Sequence, residues 1–265
     1  MEKSVKRFLI GITLVCTSIF LIGCGAGSTK TNSSGGDDTT GKRKLIVGTD
    51  AAYAPMEFMD EKGNIVGIDI DIVNAVAEAA GFEVEIKNLG WEPLFPALEN
   101  GEIDFAVSSI TIKPDREESY DFSTPYFVAN QLILVPEDSD VESFQDLKDK
   151  KVAVQINTTG HEVVKDLLGM TSKNIVAPET MPLAISEMIN GNADAAVGDN
   201  AVIIEYKAQN PKVKLKTVED DSFEKEYYGL MVKKGNKEIV DLLNEGIEKI
   251  KANGKLKEIT DQDLE

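Results

Sequence analysis

Short apolar runs alternate with segments of helical periodicity from residue 45 to the C-terminus. The first pair is an apolar run over residues 45–47 and a helical pattern over residues 68–80, which ends at Gly81. Asp69 and Asp71 lie where negative charge favours the start of this helix. Short strands that alternate with helices form mainly parallel sheets covered by helices. The sequence therefore predicts an α/β fold.

The same alternation continues along the rest of the chain. Further strands are predicted over residues 82–86, 103–107, 132–135, 152–155, 175–177, 193–197, 213–218 and 228–232. Further helices are predicted over residues 91–99, 160–168, 182–190, 200–209 and 239–250, the last with an apolar stripe from Ile239 to Ile250. Pro93 and Pro96 are both expected in the first turn of the helix over residues 91–99, where amide donors have no helical partner. Residues 42–265 suffice for two lobes of ~100 residues each or for one large domain.

The N-terminus carries three basic residues followed by an apolar run over residues 8–22. This run is shorter than the ~20 residues of a membrane-spanning helix, so we predict a cleaved signal peptide over residues 1–23. Residues 21–24 resemble the lipobox of bacterial lipoproteins, which implies a diacylglycerol anchor on Cys24. An ordinary signal peptide with an incidental cysteine is the alternative. A flexible tether is expected over residues 24–41, rich in Gly, Ser and Thr, and the protein is expected on the outer face of the cell membrane.

Composition excludes several classes of protein. The only cysteines are Cys16 and Cys24, so the predicted folded part has no disulfide and depends on its core for stability. Removing residues 1–23, which carry three basic side chains and one acidic one, takes the formal net charge from −18 to −20. Such a charge disfavours nucleic acid as a partner.

Polar residues follow four of the predicted strands. They are Thr49 and Asp50, Ser108 and Ser109, residues 157–160, and residues 198–200. In open α/β sheets, ligands bind beyond the carboxyl ends of the strands. Helix capping explains each group separately, but four such groups in two halves of the chain indicate a binding site shared between lobes.

Arg116 is the strongest individual candidate for a ligand-binding residue. Its guanidinium can hold a carboxylate through two parallel hydrogen bonds. A solvated arginine is the alternative, because residues 113–118 are highly charged. The position of Arg116 shortly after Ser108 and Ser109 favours a role in the site.

No pattern favours catalysis. His161 is the only histidine, and we predict that it is half-exposed and structural. Without a second histidine or a cysteine in the folded part, Cys-His and zinc motifs are absent, and there is no Gly-rich phosphate loop. The sequence therefore predicts no catalytic residue, no metal and no cofactor.

Residues 67–72, Gly-Ile-Asp-Ile-Asp-Ile, resemble the signature of the polar amino-acid-binding proteins of bacterial ABC transporters. The arginine/lysine/histidine-binding branch is the most similar. Supporting segments are residues 50–55, 98–104, 120–126 and 158–160. The resemblance extends from about residue 45 to about residue 253.

The resemblance implies a two-lobed fold of the periplasmic-binding-protein type II, with the ligand in the cleft between the lobes. Two crossing segments are expected near residues 128–132 and 226–230. Lobe 1 would comprise residues 42–130 and 228–265, and lobe 2 would comprise residues 131–227.

The resemblance also implies twelve ligand-binding residues. The residues expected at the ligand α-carboxylate are Thr111, Arg116, Thr158 and Thr159, and those expected at the α-ammonium are Ser108, Ser109 and Asp199. The residues expected around the ligand side chain are Asp50, Tyr53, Glu57 and Trp91. The twelfth residue is Gln155. Opposite charges at the two ends suit a zwitterion, whose charges must each be paired when it leaves water. Core packing of the two aromatic residues and solvent exposure of Glu57 are the alternatives.

These features predict a monomeric protein that captures a free basic amino acid by hinge closure and delivers it to a membrane permease. The alternatives are a glutamine-type binding protein, a dehydratase on the same fold, and a sensory subunit that reports the ligand without transport.

Overall fold

The structure is a computed structural model that describes residues 41–264. The predicted signal peptide and the proposed lipid-bearing Cys24 lie outside the described residues, as does the predicted tether apart from Gly41. Within the described part of the chain, no helix is both long enough and apolar enough to cross a bilayer.

Fifteen strands and eight α-helices make up this part of the chain. The strands are β1 (Lys44–Thr49), β2 (Ala52–Tyr53), β3 (Glu57–Met59), β4 (Ile65–Val66), β5 (Glu83–Asn88), β6 (Phe105–Ala106), β7 (Tyr120–Phe122), β8 (Phe127–Ala129), β9 (Gln131–Pro136), β10 (Val152–Ala153), β11 (Ile175–Val176), β12 (Ala195–Asp199), β13 (Leu215–Val218), β14 (Glu226–Tyr228) and β15 (Met231–Lys233). The helices are α1 (Ile68–Ala80), α2 (Trp91–Asn100), α3 (Pro114–Ser119), α4 (Thr159–Leu168), α5 (Met181–Ile189), α6 (Asn200–Gln209), α7 (Lys237–Ala252) and α8 (Lys255–Thr260), with a 3-10 helix at Phe144–Leu147.

Two five-stranded sheets form the framework. The first has the order β5-β1-β6-β15-β7 and the second has the order β11-β10-β12-β9-β13. In the first sheet β5, β1 and β6 are parallel, β15 pairs antiparallel with β6, and β7 pairs antiparallel with β15. In the second, β11, β10 and β12 are parallel, β9 pairs antiparallel with β12, and β13 pairs antiparallel with β9. The carboxyl ends of the parallel strands therefore supply loops to a site, as the sequence predicted.

Two strands connect the sheets. β8 leads from the first sheet into the second, β14 leads back, and the two pair antiparallel with Tyr228 opposite Phe127. The first sheet takes strands from both ends of the chain, whereas the second takes strands only from its middle. The predicted two-lobed α/β fold with two crossings is therefore confirmed; the lobe boundaries at residues 42–130, 131–227 and 228–265 stay a prediction.

Two expectations need correction. The single strand predicted over residues 228–232 is two strands in different sheets, interrupted at Gly229, where a Cβ atom would lie 2.8 Å from the Ile112 side chain. The prediction that Pro96 lies in the first turn of α2 is wrong, because Pro96 is the sixth residue of this helix. The missing amide of Pro96 leaves the carbonyl of Glu92 without its helical donor, which is tolerable because Glu92 is exposed.

Helices α1 and α7 pack closely against each other beside the first sheet. The buried face of α1 includes Val73 and Val76, and that of α7 includes Leu243, Gly246 and Ile247. A Cβ atom on Gly246 would lie 2.6 Å from Val76 Cγ1 and 2.8 Å from the Val76 carbonyl oxygen. The glycine therefore sets how closely the two helices approach.

Replacing Gly246 with alanine is expected to lower the free energy of unfolding by about 1–3 kcal/mol, because the added methyl group cannot fit without moving a helix. Urea unfolding followed by circular dichroism measures this change. Glu248→Ala, an exposed position of the same helix, is the matched control and should leave stability nearly unchanged. Equal stability of both variants would show that the helices can separate at no cost.

Candidate functional site

One cavity is lined by all twelve residues that the sequence nominated. They are Asp50, Tyr53, Glu57, Trp91, Ser108, Ser109, Thr111, Arg116, Gln155, Thr158, Thr159 and Asp199. The space between these side chains that no atom occupies, including the part open to solvent, amounts to about 310 Å³. The structure thus brings these side chains together, while their role in ligand binding stays a prediction.

Arg116 lies on the short helix α3 and is buried, with 8% of its surface exposed. Its Nη1 donates to the carbonyl oxygen of Thr111 at 3.0 Å, and its Cζ lies 5.5 Å from the ring centroid of Trp91. Burial lowers the pKa of Arg116, but a guanidinium stays charged. Among the ion pairs of residues 41–264, none includes Arg116, so its remaining N–H groups can serve an anionic ligand.

Asp199 ends β12 in the second sheet and is also buried. One carboxylate oxygen accepts from Gln131 Nε2 at 2.6 Å, and the other accepts from the Tyr228 hydroxyl at 2.5 Å. Burial, and secondly the nearby charge of Glu226, raises the pKa of Asp199 to about 7. No ion pair among residues 41–264 includes Asp199, so an ammonium group of a ligand would supply its cationic partner.

Sequence reasoning missed Glu226 and Gln131. One oxygen of Glu226 accepts from Gln131 Nε2 at 2.8 Å; the other accepts from the hydroxyls of Thr111 at 2.5 Å and Thr159 at 2.9 Å. Glu226 begins the crossing strand β14, so it joins residues of both lobes. Its place in the predicted crossing at residues 226–230 was the available signal.

Glu57 also lines the cavity and is fully buried rather than exposed as one alternative had it. Glu57 accepts from the hydroxyl of Ser108 at 2.9 Å and from that of Ser109 at 3.3 Å. The resemblance implied these serines at the ligand ammonium, whereas both hydroxyls here point to Glu57. Burial, and secondly the charge of Asp69, raises the pKa of Glu57.

Asp69 was interpreted from the sequence as a charge that favours a helix start, but it is fully buried. Its carboxylate accepts from the Ser109 backbone amide at 2.7 Å and from the Tyr126 hydroxyl at 2.9 Å. Burial raises the pKa of Asp69 to about 6. Its family-signature position could have drawn attention to it, yet only the fold places it behind Glu57.

Asp50 and Gln155 join the two lobes beside Glu57. Gln155 Nε2 donates to Asp50 at 3.0 Å and to the carbonyl oxygen of Glu179 at 2.9 Å. Burial raises the pKa of Asp50. A second contact between the lobes runs from Trp91 Nε1 to the carbonyl oxygen of Asn157, at 3.2 Å. These contacts hold an acidic group and an aromatic ring on the same side of the cavity.

The turn before α4 supplies Thr158 and Thr159. Thr158 caps the helix by accepting from the His161 amide at 3.3 Å, and its hydroxyl donates to the carbonyl oxygen of Gln155 at 2.9 Å. His161 is buried and not half-exposed as predicted, because its Nδ1 accepts from the Asn157 amide at 2.9 Å within this turn. Its structural role is therefore to order the turn that carries the two threonines.

The charges of the cavity are unequal. Among its lining residues Arg116 is the one cation, against the carboxyl groups of Asp50, Glu57 and Asp199. Asp69 and Glu226 add two carboxyl groups directly behind the wall. Such a site suits a ligand that presents one anionic group to Arg116 and cationic groups elsewhere.

The ligand-free protein is expected to lose stability as pH rises from about 5 to about 8. The folded-state pKa of Asp199, about 7, exceeds its ordinary value of 3.8, so the folded state holds a proton that the unfolded state has lost. The stabilisation of the folded state by this proton is complete below the ordinary pKa and is lost as pH rises through about 7. Urea unfolding across this range measures the slope, and Asp199→Asn should flatten it. An identical slope in both proteins would contradict the assignment.

Comparisons with known proteins give one matching family model and several similar proteins. The family model "Bacterial extracellular solute-binding proteins, family 3" matches residues 45–263. A probable histidine-binding protein of Neisseria gonorrhoeae is 39% identical, over 94% of this chain and 92% of its own. The arginine-binding extracellular protein ArtP of Bacillus subtilis is 30% identical, over 96% of each chain. Among solved structures, the chain is similar to the arginine-, lysine-, histidine-binding protein ArtJ of Geobacillus stearothermophilus, with 46% sequence identity and a TM-score of 0.79. The match covers 82% of this chain and 93% of the ArtJ chain.

Proposed function

The chain belongs to family 3 of the bacterial extracellular solute-binding proteins, and we propose that it captures a free basic amino acid for an ABC importer. The observation that carries this proposal is the unequal charge of the cavity. A single guanidinium faces three carboxyl groups, so a ligand with one carboxylate and two cationic groups pairs its charges best. The relatives named for histidine and arginine support the same ligand class.

We propose an orientation in which the ligand α-carboxylate binds Arg116 and the α-ammonium binds Asp199. Support comes from the N–H groups of Arg116 that no described hydrogen bond uses and from the absence of Asp199 from the ion pairs of residues 41–264. The ligand side chain would then extend past Tyr53 and Trp91 to Glu57. A guanidinium or ammonium over aromatic faces and near a carboxylate gains cation–π and charge interactions.

Hinge closure is the proposed mechanism of capture. The lobes meet through Glu226, which accepts from Thr111 of the first lobe and Thr159 of the second, and the paired strands β8 and β14 are the crossings. A ligand that contacts both lobes favours the closed form by its extra affinity for that form. The closed protein would then dock on the membrane permease.

Further parts of the proposal concern the state of the protein in the cell. We propose that Cys24 carries the lipid anchor and that a monomer acts on the outer face of the membrane. We also propose that the protein binds its ligand without transforming it, since the compared relatives are named as binding proteins. Acylation of Cys24 can be tested by mass spectrometry of the membrane-extracted protein.

Calorimetric titration of refolded, ligand-free protein with arginine, lysine, histidine, glutamine and glutamate tests the proposed ligand class. Submillimolar or tighter binding of at least one basic amino acid is expected, and glutamate should not bind, because its side-chain carboxylate would lie against Glu57. Tighter binding of glutamate than of any basic amino acid would reverse the proposed polarity. Binding of glutamine alone would show that the site recognises a neutral amide.

A further inference from the structure

Two carboxyl groups share one binding environment at the side-chain end of the cavity. Glu57 on β3 lines the cavity, and Asp69 on α1 lies behind it; both are 0% exposed. Ser109 contacts both, since its hydroxyl donates to Glu57 at 3.3 Å and its backbone amide donates to Asp69 at 2.7 Å. Glu57 and Asp69 also share a direct side-chain hydrogen bond, so the two carboxyl groups lie beside each other.

The groups that face this pair are neutral or acidic. The hydroxyls of Ser108 and Tyr126 donate to Glu57 and Asp69 respectively, Tyr53 pairs with Glu57 across β2 and β3, and Asp50 adds another carboxyl group nearby. None of the ion pairs of residues 41–264 includes Glu57 or Asp69. No lysine or arginine of the described chain thus neutralises the pair.

Two buried carboxylates without a cation are unfavourable together, because each is desolvated and each repels the other. The pKa of both groups is raised, with burial as the first cause. Near neutral pH such a pair retains about one proton, which belongs to the pair and not to either residue. A ligand cation beside Glu57 stabilises the ionised carboxylates, so it lowers the pKa of the pair and the proton is released.

We infer that Glu57 and Asp69 form a proton-holding pair that responds to the charge of the ligand side chain. The pair keeps its proton beside a neutral side chain and releases it to solvent when a guanidinium or ammonium binds. Asp69 does not line the cavity and acts through Glu57, as a positioning residue that determines specificity. The inference rests on the proposed function, because it assumes that the side chain of the ligand lies at Glu57.

The consequence is a selectivity that depends on pH. Release of a proton makes arginine bind more tightly as pH rises, whereas a neutral side chain of the same shape shows no such gain from the pair. Citrulline provides that comparison, since it replaces the guanidinium of arginine with a neutral ureido group. Any proton released from Asp199 by the α-ammonium is common to both ligands and cancels in the difference.

The experiment is isothermal titration calorimetry at about pH 6.5 in two buffers of different ionisation enthalpy, which counts the protons released on binding. Arginine is expected to release about one proton more than citrulline from the unmodified protein. Asp69→Asn should lose part of this excess, because it removes the charge of Asp69 but leaves Glu57 buried. Asp71→Asn, at an exposed position in the same turn of α1, should keep it.

Equal proton release by arginine and citrulline, or an excess that is unchanged in Asp69→Asn, would overturn the inference. If citrulline binds too weakly for calorimetry, the slope of log Kd for arginine against pH gives the same comparison between the unmodified protein and Asp69→Asn. Failure of arginine to bind the unmodified protein would instead refute the proposed function, so the two failures are distinguishable.

Tyr126→Phe provides a second variant in case Asp69→Asn does not fold. It removes one hydrogen bond to the ionised form of Asp69 while keeping the ring, so the pair should hold its proton to higher pH. The pH at which the excess release is half-maximal is expected to move upward. No movement in a folded Tyr126→Phe protein would contradict the role of Asp69.

Discussion

Arg116→Ala is expected to weaken arginine binding roughly 30-fold or more, because truncating one partner of a buried, hydrogen-bonded charge pair costs about 2–5 kcal/mol. The ligand carboxylate would enter a cavity whose other charged groups are acidic and would find no cation there. Calorimetric titration measures the loss. Arg116→Lys should recover only part of the affinity, since an ammonium cannot form the two parallel hydrogen bonds of a guanidinium.

The control for this variant is Arg43→Ala. Arg43 is exposed and pairs with Glu238 on the surface, so its removal changes the net charge equally without touching the cavity. Affinity for arginine should stay within about twofold. Equal losses in both variants would show that Arg116 acts only through overall charge, and unchanged binding in Arg116→Ala would place the ligand carboxylate elsewhere.

Asp199→Asn is expected to reduce the affinity for every amino acid ligand, charged or neutral, by a similar factor of roughly 30 or more. The α-ammonium is common to all of them, and the asparagine amide would present a dipole in place of a full charge. Asn has the same shape as Asp, so packing against Gln131 and Tyr228 is kept while the negative charge is removed. Calorimetric titration with arginine and with glutamine measures the loss of affinity for each of the two ligands.

Asp221→Asn, at an exposed position, removes the same charge far from the described contacts of Asp199 and should leave binding unchanged. A loss in Asp199→Asn that affects arginine but not glutamine would contradict the proposed orientation. It would indicate that Asp199 faces the ligand side chain and that the α-ammonium lies at Glu57 instead.

Local patterns in the sequence were sufficient where the structure is determined by periodicity and caps. Helix α1 begins and ends where its apolar spacing and Gly81 indicated, and α7 buries the predicted stripe that includes Ile239 and Ile250. Strand β1 contains the predicted apolar run and pairs in parallel with β5. These elements follow from contacts between near neighbours in sequence and from burial of one face.

Local patterns alone did not predict that the twelve site residues come together. Strand ends alone suggested four polar groups, and the resemblance supplied the positions of Trp91 and Glu57, both of which line the cavity. No local pattern could show that Glu57 is buried, because a carboxylate after a loop is exposed in most proteins. Its burial results from packing between β3 and the loop that follows β6.

Contacts across long stretches of chain explain what the sequence did not predict. Glu226 meets Thr111, which lies 115 residues away, and Gln131 meets Asp199 across 68 residues. Asp69 stands at a helix start, where an exposed acidic residue is the ordinary expectation, yet the fold covers it with Ser109 and Tyr126. Such residues are identified only once the two lobes are in place.

A crystal structure of the protein with bound arginine would show the orientation of the ligand in the cavity. The α-carboxylate is predicted within about 3 Å of the Arg116 guanidinium, the α-ammonium on Asp199, and the ligand guanidinium beside Glu57, with charge-assisted hydrogen bonds at each end. Arginine bound in the reverse direction, with its α-carboxylate away from Arg116, or bound outside this cavity, would contradict the account.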